Sequence, residues 1–113
     1  MPVSQDCLKK AYHIYEAHEY AHAASRGALS RDKKAAEMYL TLINEELYAI
    51  AVSLSAETKM ALNRDLVEAR KLIYKGDKQA VLPLGRFIDK TKELMFEVAV
   101  TCECRQEGSN AKV

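Results

Sequence analysis

Apolar residues return at three- and four-residue intervals in four stretches, each bounded by capping or turn residues, which predicts four helices. The first runs from Ser4, a capping residue, to Arg26, with Gly27 placed to stop it. At roughly 100° per residue, Cys7, Ala11, Ile14, Ala17, Ala21 and Ala28 fall on one side, and Gln5, Lys9, His13, Glu16 and Tyr20 on the other. Ser30 is expected to cap the second helix, with Asp32 in its first turn. Its stripe is Ala36, Leu40, Ile43, Leu47, Ile50 and Leu54. A second row, Met38, Leu42, Ala49 and Val52, predicts that this helix is the most buried of the four.

Ser53 or Ser55 opens the third helix, which repeats Leu62, Leu66, Ala69 and Ile73 and ends at Gly76. The fourth starts at Asp77 with a kink or restarts near Pro83, and its stripe is Leu84, Phe87, Ile88, Thr91, Leu94, Met95, Val98 and Cys102. Residues 96–104 alternate with a period of two and are rich in β-branched side chains, as a strand would be. No second strand exists to pair with them, and an isolated strand leaves its backbone groups unpaired, so helix is the reading. Short connections favour antiparallel neighbours, giving an all-α, up-down-up-down four-helix bundle. It forms one domain over residues 1–107, with a flexible tail at 108–113.

Composition narrows the partners. Lys and Arg number 17 against 16 Asp and Glu, a formal charge of +1 without the basic excess of a general nucleic-acid binder. The basic residues Arg70, Lys71, Lys75 and Lys78 are diluted by Glu68 and Asp77 and read as a solvated helix end. The longest apolar run, Leu47 to Leu54, falls far short of the roughly 20 residues that span a bilayer, and no signal peptide is visible. Three cysteines, an odd number, suggest inert thiols in a reducing cytoplasm rather than a disulfide framework. Cys102 and Cys104 are expected to meet the start of the first helix near Cys7.

One motif carries possible chemistry. His18-Glu19-Tyr20-Ala21-His22 spells H-E-x-x-H, in which two histidines on one helix face bind zinc and the glutamate serves as general base. Folding the second helix back on the first brings Glu37 to the level of His22, which makes Glu37 the acidic candidate for a third ligand. Glu19 would be the base. Against hydrolysis stand the 17 residues before the motif, too few for a substrate-binding sheet, and the absence of a spaced third ligand downstream. Glu19-x-x-His22 also matches half of a di-iron bundle motif, but the second half is missing. The simpler reading is two inward imidazoles hydrogen-bonded to Tyr15, Tyr39 or a carboxylate.

The expected function is therefore non-catalytic: a small cytoplasmic bundle that binds another protein or a second copy of itself, with no cofactor. Tyr12, Glu16 and Tyr20 would be outermost on the contact helix. The alternative is a metal-binding protein or minimal zinc hydrolase built on His18, His22 and Glu37, with Glu19 catalytic.

Overall fold

The alanine-rich start of the chain forms one long helix, α1 (Gln5–Leu29), whose buried residues Ile14, Ala17, Ala21, Ala24 and Gly27 return every three or four positions. In the computed structural model, which describes the backbone of residues 5–111 and the side chains of residues 5–101, three further helices pack around it. They are α2 (Lys33–Ala49), α3 (Ala56–Tyr74) and α4 (Val81–Ala111). Short 3-10 turns at Ala51–Ser53 and Lys78–Ala80 precede α3 and α4. No strand occurs among the described residues, so the fold is an all-α helical bundle, and 96–104 are helical. α4 runs to Ala111, past the boundary expected at residue 107; residues 112–113 of the expected tail lie outside the described residues.

Contacts between the helices set their directions. His13 meets Glu46, Tyr20 meets Tyr39 and Gly27 meets Ala36, so positions fall along α2 as they rise along α1. His18 meets Thr91, and Cys7 borders the same cavity as Leu94 and Val98, which gives α1 and α4 opposite directions too. Across α3 and α4, Arg86 donates from Nε to Asp65 Oδ1 at 3.1 Å and from Nη2 to Glu68. That pairing matters because Asp65 is buried, and a buried carboxylate without a partner is costly. The core joins Ile14, Leu40, Ile43, Leu62, Leu66, Leu84 and Phe87 from all four helices.

Several sequence expectations need correction. Gly27 does not stop α1; it lies inside the helix, where a Cβ would come within 3.2 Å of the Ala36 backbone nitrogen. Its value is close approach, not turning. The left-handed turn falls on Arg31, at φ 62°, and Asp32 rather than Ser30 caps α2, accepting from Ala35 N at 3.1 Å. Ser55 caps α3, and Gly76 at φ 71° ends it, with Asp77 N bonded to Leu72 O and Gly76 N to Ile73 O. Asp77 caps the 3-10 turn, and Pro83 falls in the first turn of α4, where its missing N–H costs no helical bond. α2 is not the most buried helix. Only Ala36, Leu40 and Ile43 are buried on it; of its expected second row Met38 reaches solvent, and Val52 falls beyond the helix, exposed in the 3-10 turn.

Candidate functional site

Around α1 the side chains sort into a core edge, two flanks and a solvent arc. His18 lies on the flank that meets α4. Its Nδ1 sits 2.9 Å from Thr91 Oγ1, and Thr91 is fully buried. The Thr91 hydroxyl donates back to the Phe87 and Ile88 carbonyls of its own helix, at 3.1 and 3.0 Å. With its hydrogen directed there, the hydroxyl oxygen accepts from His18 Nδ1–H, an assignment that leaves the lone pair on Nε2. Burial pushes the His18 pKa below the ordinary histidine value, and the neighbouring His22 lowers it further, so the neutral ring is favoured.

His22, one helical turn on, meets His18 ring to ring, with centroids 4.8 Å apart and planes at 74°. The two histidines of the motif thus share one face. The other members of the expected zinc site do not join them. Glu19 accepts a hydrogen bond from the Tyr15 hydroxyl at 3.0 Å, which also raises the Tyr15 pKa. Glu37 lies on the exposed side of α2, 4.0 Å from Lys33. Among the described residues no group of three or more His, Cys, Asp or Glu could hold a metal ion. His18 faces α4, whereas Glu37 is on α2. The imidazole partner is also Thr91, while the expected Tyr15 binds Glu19 and Tyr39 stacks on Tyr20.

The opposite flank meets α2. There Tyr20 stacks on Tyr39 with centroids 6.0 Å apart, and His13 Nδ1 pairs with Glu46 Oε2 at 2.6 Å. Desolvation, then Glu16 and Glu46, raise the Tyr20 pKa. Tyr20 is therefore half-buried against the core rather than outermost, and Glu16 beside it is also only partly exposed. Between the flanks runs the solvent arc. Leu8, Tyr12 and Tyr15 stand there 57, 58 and 50% exposed. Of the three expected contact residues, Tyr12 alone stands fully out.

At the N-terminal end of α1, Cys7 is disulfide-bonded, which corrects its reading as an inert thiol. The side chains of Cys102 and Cys104 lie outside the described residues. Comparison with known proteins found no matching family model, no matching curated protein and no matching solved structure. Any functional reading therefore rests on the sequence and the geometry.

Sequence reasoning missed three features. Thr91 was placed on the core stripe of α4 without a role, although a threonine in an apolar stripe signals a hydroxyl that needs a partner. His13 was assigned to the polar side, yet only 18% of its side chain is exposed beside Glu46. Leu8 and Tyr15 carried no surface role in the sequence reading, and their i, i+7 spacing with Tyr12 between was the available signal of an exposed ridge.

Proposed function

We propose that this chain is a non-catalytic helical-bundle protein that acts by binding another protein through the solvent face of α1. One observation carries the reading: Leu8, Tyr12 and Tyr15, at i, i+4 and i+7, stand at least half exposed on successive turns of one helix face. That is the spacing with which helix faces engage partners. Tyrosine suits such a surface, since its ring supplies apolar area and its hydroxyl stays satisfied at the rim. The near-neutral charge favours a protein partner over nucleic acid. No helix among the described residues is long and apolar enough to cross a membrane. A disulfide at Cys7 weighs against the cytoplasmic setting expected from the sequence, because disulfides persist chiefly in oxidising compartments.

The test places a photo-reactive residue at position 12, 15 or 57 in the source cell. Glu57, exposed at the start of α3, serves as the control. Positions 12 and 15 are expected to give one cross-linked species of defined mass, and position 57 none. A mass of twice the chain identifies a second copy as the partner. Silence at 12 and 15, or equal labelling from 57, overturns the reading.

A further inference from the structure

We propose that His18 and His22 form a two-imidazole binding site for a late first-row divalent cation, Cu2+ above all, with water completing its coordination. Three observations converge on it. The rings lie four residues apart on an unbroken helix, so the backbone holds them on one face without any loop to order. Their spacing is also right for a chelate. A cation bound to an imidazole nitrogen at about 2.0 Å sits about 3 Å from the ring centre, so two rings at about 90–110° have centres about 4.5–5 Å apart. The observed separation is 4.8 Å.

The third observation is the support behind His18. Its Nδ1–H is held by the buried Thr91 hydroxyl, itself anchored on two carbonyls of α4, which fixes the ring and turns the free lone pair to Nε2. Metal-binding histidines are oriented in this way by a hydrogen bond at the far nitrogen. His22 makes no hydrogen bond among the described residues, so its ring is free to turn toward the same ion. Glu19 and Lys92 both act on the His18 ring, the first favouring a cation and the second opposing it. With two nitrogen ligands and no third ligating side chain among the described residues, affinity follows the intrinsic order that places Cu2+ above Ni2+ and Zn2+. This inference does not depend on the protein-binding role.

The experiment titrates CuCl2 into tag-free, EDTA-stripped protein, followed by electron paramagnetic resonance. One Cu2+ per chain with nitrogen hyperfine structure is expected. His18→Ala and His22→Ala should each weaken binding by at least about tenfold, and Thr91→Val by about tenfold through lost orientation of the ring. His13→Ala should leave it unchanged. A second readout needs no variant: substoichiometric Cu2+ should broaden the ring-proton NMR signals of His18 and His22 before those of His13. No saturable binding, binding unaltered by His22→Ala, or His13 broadened first would each overturn the site.

Discussion

The two sides of α2 differ in how closely they are packed. Toward α1, Ala36 is fully buried and Gly27 approaches it so closely that a Cβ there would lie 3.2 Å from the Ala36 nitrogen; Ala17, Ala21 and Ala24 of α1 are fully buried too. Toward α3, an open groove of about 300 Å³ is bordered by Leu47, Tyr48, Leu62, Asn63 and Leu66. Tyr48 is 85% exposed there, and Val52 at the end of the seam 99%. Small side chains let helices close, whereas long and polar ones hold them apart. An apolar row on a helix thus becomes core only where the neighbour can come near enough to cover it.

The largest expected effect contrasts an aromatic residue of the closed core with one on the open seam. Phe87 of α4 is fully buried in the core cluster, so Phe87→Ala should cost about 3–5 kcal/mol. Tyr48→Ala, on the open seam, should stay within about 0.5 kcal/mol. Urea midpoints of the two variants measure the difference directly; equal losses would mean that the seam closes in solution. Next comes the disulfide at the far end of α1. Cys7→Ser should lower stability by about 2–4 kcal/mol, and a thiol reductant should bring the wild-type urea midpoint down to that of the variant.

Two glycines sharpen the comparison further. Gly27→Ala would put a methyl group 3.2 Å from the Ala36 nitrogen and 3.3 Å from its Cβ, and backbone cannot swing away as a side chain can. Overpacking of this kind costs about 1–3 kcal/mol, which outweighs the gain of about 1 kcal/mol in helix propensity. Gly85→Ala, in a helix with nothing within 4 Å, should instead stabilise by about 0.5–1 kcal/mol. Thermal melts of the pair should move in opposite directions.

Periodicity alone was enough to read the four helices, since each stripe from Ile14 to Val98 repeats at helical spacing and each break carries a cap or turn residue. The strand-like run at 96–104 is helical because a lone strand would leave its backbone hydrogen bonds unmade. Rotation about the helix axis was less legible. A stripe identifies the buried face, but not which neighbour covers each edge of it: the motif reading groups His18 and His22 with Glu37 of α2, whereas Thr91 of α4 receives His18. For the same reason the pattern sets Tyr20 outermost, although Tyr39 stacks on it. Close approach was hidden as well, because Gly27 as a contact and Gly27 as a stop have the same letter and nearly the same position.

His18 carries the comparison to the other flank of α1, the one that α4 covers, where burial excludes a proton. His18 is flanked by His22 and Glu19 on its own helix and by Thr91 and Lys92 on α4, and burial is the main cause of its lowered pKa. Above the ordinary histidine value, about 6.5, folded and unfolded chains both carry a neutral ring, and this group adds no pH dependence. As the pH falls below that value the unfolded chain takes up a proton before the folded one does. The contribution of His18 to folding is therefore present above about 6.5 and lost as the pH falls through the lower folded-state value. Urea midpoints in EDTA, at pH 7.5 and 5.5, should show an acid loss in the wild type that shrinks in His18→Gln. An unchanged loss would mean that the ring is open to solvent and that α4 does not cover this flank of α1.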